Sequence, residues 1–106
     1  MSIKIEKYSG IYISYDLVKE MTYSLTPNEK AVYLALCMLL QEKGSIYIWT
    51  SAKHLSSIAN LSTPTTLNAL KGLIRAGFIH RDTKYFKKDT KFQAKSIYRI
   101  LKVQLA

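Results

Sequence analysis

The apolar positions run first at helical spacing and then, after residue 77, in alternation. Leu25-Thr26-Pro27-Asn28-Glu29 opens the clearest helical block. Thr26 can accept from the amide three residues on, Glu29 can reach back, and Pro27 stands where a missing N–H costs nothing. The pattern predicts a helix over 27–43, stopped by Gly44. Residues 31–40 (AVYLALCMLL) are apolar on every side, whereas a surface helix carries one stripe. This helix is expected at the centre of the fold, or with one side against a partner.

SIYIW (45–49) reads as a short strand. Thr50 or Ser51 then caps a helix in which Ala52, Leu55, Ile58 and Ala59 share a face. Asn60-Leu61-Ser62 makes a tight turn. Ser62 or Thr63 caps the next helix, Pro64 lies in its first turn and Gly77 ends it. Its buried face is expected to be Leu67, Leu70, Leu73 and Ile74. Beyond it, residues 78–86 and 96–103 are β-rich and flank KKDTKFQAK (87–95), which predicts a hairpin with a long basic tip. Upstream, Ile3/Ile5 and Ile11/Ile13 alternate around Gly10. Ser14 can cap a short helix over 15–21 with Leu17, Val18 and Met21 on one face. The expected class is α+β: an N-terminal extension (1–24) that packs on the core or on a partner, then the main domain (25–106).

Length and charge sharpen this picture. A chain of 106 residues that is 48% hydrophobic fits one domain, able to bury about 60–70% of its unfolded surface. Residues 1–69 hold six basic and five acidic side chains, whereas 70–102 hold ten basic and two acidic, so nearly all of the +9 charge sits in one third of the chain. Such a field favours a polyanion, nucleic acid first and an anionic membrane surface second. The longest apolar run is about half of what a membrane span needs. Residues 1–10 lack the apolar core of a signal peptide. The single cysteine, Cys37, excludes an internal disulfide and fits a reducing compartment. A cytoplasmic protein with no membrane partner is expected.

The order helix, strand, helix, turn, helix and basic hairpin narrows the class. Within it, LSSIANLSTPTTLNALKGLIRAGFIHR (55–81) resembles the winged helix-turn-helix family of DNA-binding domains. Leu55 and Ile58-Ala59, the Asn60-Leu61-Ser62 turn, Thr66-Leu67, Leu70, Leu73 and Ala76-Gly77-Phe78-Ile79 carry the resemblance, which extends over about 25–103. With Leu25-Thr26 followed by Glu29-Lys30 and Tyr33, the chain is most similar to the modules of plasmid- and phage-type replication initiators. The resemblance implies a three-helix core with a short strand and a C-terminal β-hairpin wing. It also implies DNA binding in replication initiation, or its control, on a mobile genetic element.

The residues support a binding surface by themselves. On the helix over 63–76, Pro64, Thr65, Asn68, Lys71, Gly72 and Arg75 fall opposite the leucines, with Ala69 at the edge. This short or polar ridge can enter a major groove, where Asn68 can make a bidentate contact with adenine and Thr65 can meet a base or phosphate. Thr63 and the helix N-terminus suit a phosphate, and Lys71 and Arg75 suit the backbone. Lys84, Lys87, Lys88, Lys91 and Lys95 suit phosphates or a minor groove. Five or six phosphate contacts would give a log K against log[salt] slope of roughly −4 to −5. Duplex DNA is the favoured partner. Tyr85, Phe86 and Phe92 interleave with lysines and leave open a single-strand binder. A transcriptional repressor or a protein-interaction winged helix are the other readings. A homodimer and a replication-protein partner are compatible with all of them. His54, His80 and Cys37 lack metal-ligand spacing, the glycines stand alone and the carboxylates are scattered, so neither a metal, a cofactor nor an enzymatic activity is expected.

Overall fold

A computed structural model describes residues 11–88 and 91–105, with backbone alone considered at 83–88, 91–95 and 104–105. Ile3 and Ile5 lie outside the described residues. The cap at Thr26 forms both halves of its box: the hydroxyl accepts from the Glu29 amide at 3.2 Å and the Glu29 carboxylate accepts from the Thr26 amide at 2.9 Å. Helix α2 (Pro27–Lys43) follows and stops at Gly44, whose φ of 64° is left-handed. Its apolar girth is used: Val32, Tyr33, Ala35, Leu36, Cys37, Leu39 and Leu40 are buried, and α2 is the central helix.

Helix α1 (Tyr15–Ser24) is capped by Ser14 and buries Leu17 and Met21 in the same apolar cluster as α2. Val18, expected beside them, is 48% exposed instead. Strand β1 (Ile11–Tyr12) pairs antiparallel with β5 (Gln104–Leu105). The Lys102 ammonium pairs with Glu20 of α1 and lies 4.6 Å from the Phe78 ring centroid, so α1 is also held at its outer edge.

Strand β2 (Tyr47–Thr50), α3 (Ala52–Ala59), α4 (Thr63–Arg75), β3 (Ile79–Lys88) and β4 (Lys91–Ile100) complete the order. The sheet runs β2-β4-β3, all antiparallel, with Ile48 opposite Tyr98 and Ile79 opposite Ile100. Tyr33 and Tyr98 are both buried. The Tyr33 ring meets Phe78 edge to face at 5.3 Å and its hydroxyl donates to the Leu101 carbonyl, tying α2 to the end of the sheet. The expected α+β winged helix-turn-helix is the fold found.

The hairpin departs from expectation. There is no long basic tip over 87–95: pairing continues without a break to Lys88 opposite Lys91. The dense charge run has the composition of a loop, but Tyr85, Phe86 and Phe92 are strong strand formers, and nine unpaired residues would forgo a ladder of backbone hydrogen bonds.

Candidate nucleic-acid interface

The turn between α3 and α4 is built by side-chain caps. Ser51 caps α3 by accepting from the His54 amide at 3.1 Å. Asn60 closes that helix in the left-handed region at φ 57°, and the Leu61 amide donates to the Ser56 carbonyl at 3.0 Å. Asparagine tolerates this conformation better than a branched residue. Ser62 then caps α4, accepting from the Thr65 amide at 3.2 Å and donating its own proton to the Thr65 hydroxyl at 2.7 Å. The Thr63 hydroxyl lies 3.4 Å from that of Ser56, across the turn. Thr63 and Thr65 are both half-buried and engaged locally, so the polar group that α4 offers to solvent begins further along.

Helix α4 sits rotated from its expected setting by roughly 80°, at 100° per residue. The buried face is Thr66, Ala69, Leu70, Gly72 and Leu73; Leu67 is 40% exposed and Ile74 is half-buried. Two expectations are thereby corrected, since Leu67 belongs to the outer surface and Gly72 to the inner one. The cause is the crossing of α2. A Cβ at Gly72 would stand 1.7 Å from Glu29 Oε2, so the absence of a side chain there admits the carboxylate that caps α2. Ala69, also small, lines the same approach. Thr66 is tolerated at 0% exposure because its hydroxyl donates to the Ser62 carbonyl at 2.9 Å.

The rotation leaves Pro64, Leu67, Asn68, Lys71 and Arg75 as the exposed ridge. Each flank of the ridge is a shallow depression. On one side, Asn68 and Thr65 face the start of α2, where Thr26, Asn28 and Glu29 complete a polar cleft of about 350 Å³. On the other, Lys71, Ile74 and Arg75 meet Arg81 of β3 around a depression of about 400 Å³. The root of the wing and the C-terminal half of α4 therefore share one surface.

Arg81 was not among the expected site residues. Its signal was present: it stands two positions after Ile79, the first apolar residue of the strand, and so on the same pleat face. It lies opposite the buried Tyr98. His80 and Asp82 occupy the other face, where the imidazole and carboxylate pair at 3.2 Å.

The ladder also sorts the wing lysines. Lys84 stands opposite Lys95 and Lys88 opposite Lys91, whereas Lys87 stands opposite Phe92. Alternation places 84, 88, 91 and 95 on one ribbon face and 87 on the other, together with 81. Two directly opposed like charges weaken a sheet.

A family model described as a helix-turn-helix domain matches residues 23–79. The chain belongs to that family. Neither the curated proteins nor the solved structures contain a match. The matched stretch of this helix-turn-helix domain runs through α2, β2, α3 and α4 and ends where β3 begins, so the wing extends beyond it. Family and surface charge agree on DNA as the partner. Among the described residues no helix is long and apolar enough to cross a membrane, and no three His, Cys, Asp or Glu residues gather as metal ligands.

Proposed function

We propose that this helix-turn-helix domain reads duplex DNA with α4 in the major groove and steadies it with the wing, without catalysis. One observation carries the reading: Asn68, Lys71 and Arg75 line the exposed ridge of the helix that follows the turn, and the ridge runs into the basic root of the wing. Asn68 is the base-reading group, able to accept and donate on an adenine edge. Lys71, Arg75 and the lysines Lys84, Lys87, Lys88, Lys91 and Lys95 supply the phosphate contacts. At the N-terminus of α4 the Thr63 amide is the group offered to a phosphate, while the Thr65 amide and both threonine hydroxyls serve the turn. The Leu25–Tyr33 pattern supports a role in replication initiation, or its control, on a mobile genetic element. A homodimer through Leu34 and Met38, which are 46% and 54% exposed on α2, is compatible with this reading.

The test is a gel-shift series with a duplex selected from a random library, the same sequence as a single strand, and a scrambled duplex, at two salt concentrations. The selected duplex is expected to win. Asn68→Ala is expected to cost about 1–3 kcal/mol on it and little on the scrambled one. Decisive preference for the single strand, with sensitivity to Tyr85→Ala or Phe92→Ala, would replace this reading with the single-strand one. Light scattering at tens of micromolar decides the dimer.

A further inference from the structure

We infer that Lys71, Arg75 and Arg81 form a phosphate clamp that locks the recognition helix to the root of the wing on one DNA strand, with Arg81 as the member the wing contributes. The inference rests on the DNA reading of α4 and deepens it.

The clamp is assembled by the fold from two elements. Lys71 and Arg75 are one helical turn apart on the exposed side of α4, and both line the depression at its C-terminal half. Gly77, at φ 79°, turns the chain back sharply, and the Phe78 amide closes on the Leu73 carbonyl at 3.0 Å. That reversal returns β3 beside α4. Arg81, held in register opposite the buried Tyr98, then reaches the same depression across Ile74.

Among the described residues the depression is lined by these three cations and Ile74, with no carboxylate. The acid nearest in sequence, Asp82, is on the opposite pleat face and pairs with His80. Three like charges around one notch repel, and an anion relieves that repulsion. Two guanidinium groups match phosphate oxygens in a planar fork, which an ammonium cannot do. The half-buried Ile74 offers no hydrogen bond and leaves recognition to charge. A sugar–phosphate backbone following α4 out of the groove passes here before it meets the wing lysines.

Fluorescence anisotropy with a labelled selected duplex over a salt series tests the clamp. Arg81→Ala is expected to weaken binding roughly five- to tenfold at low salt and to flatten the log K against log[salt] slope by about one. The preference for selected over scrambled duplex should be unchanged. Arg81→Lys should keep the slope, which separates charge from folding. Lys43→Ala, at the far end of α2 from the ridge, removes the same charge and should change affinity less than twofold. Equal losses for Arg81→Ala and Lys43→Ala would mean only net charge matters and would overturn the clamp. Competition by millimolar inorganic phosphate beyond that of chloride at the same ionic strength, lost in Arg81→Ala, would support the clamp. A wild-type chain that ignores duplex DNA at low salt would overturn the DNA reading itself.

Discussion

Gly72 and Glu29 show how one missing side chain sets the functional helix. The Glu29 carboxylate occupies the space a Gly72 Cβ would need, while capping α2 through the Thr26 amide. Alanine at Gly72 improves helix propensity by about 1 kcal/mol but displaces that cap, worth a comparable amount. Gly72→Ala should therefore leave stability nearly unchanged in the wild type and raise it by about 1 kcal/mol in a Glu29→Ala background. Denaturant unfolding of the four proteins checks this, and equal effects in both backgrounds would refute the contact. The sequence marked Gly72 as unusual within a helix but assigned it to the outer face, because spacing alone cannot tell which side another helix crosses. Leu67 misled for the same reason: leucine spacing favours a stripe, yet the small residues Ala69 and Gly72 decided the approach. Burial has a second consequence here. It raises the Cys37 thiol from 9.0 to about 11, and it raises the Tyr33 hydroxyl too, with Cys37 and then Glu20 adding to the effect. The unfolded chain then releases these protons first, so the stability they contribute is complete below about pH 9 and declines as pH rises through about 11. The melting temperature should fall in that window, and Cys37→Ala should make the fall shallower.

Among the elements, α2 was the most legible. Its cap, its start at Pro27, its end at Gly44 and its central place all followed from residue types whose local preferences agree with the tertiary fold. The turn from Asn60 to Ser62 was equally plain. The wing was not, because lysines over 84–95 hid a continuous ladder behind the composition of a loop. Its register now makes a prediction of its own. Lys84→Glu and Lys91→Glu together turn two like-charge pairs, Lys84 with Lys95 and Lys88 with Lys91, into opposite-charge pairs. Each exchange should stabilise the hairpin by about 0.2–1 kcal/mol relative to the repulsive pair. DNA affinity should fall by more than tenfold for the loss of four charges from the wing. Thermal unfolding and anisotropy on the same variant read both effects. A loss of stability with unchanged binding would argue against the ladder register and the wing's role alike.

For the whole molecule, the division of charge is the organising fact. A body that is close to neutral through residue 69 supplies packing, and a C-terminal third with ten basic and two acidic residues supplies the field. That division was readable without coordinates. What needed the fold was the meeting of Lys71, Arg75 and Arg81 on one flank of α4. The most direct measurement is an amide chemical-shift titration of the ¹⁵N-labelled chain with a duplex. The expected shifts cluster on α4 around Asn68, Lys71 and Arg75 and continue into β3 from Arg81 onward, while the outer face of α2 at Leu34 and Met38 stays still. Shifts centred on α2 with α4 unmoved, or on the wing with none along the ridge, would contradict a single DNA-binding surface.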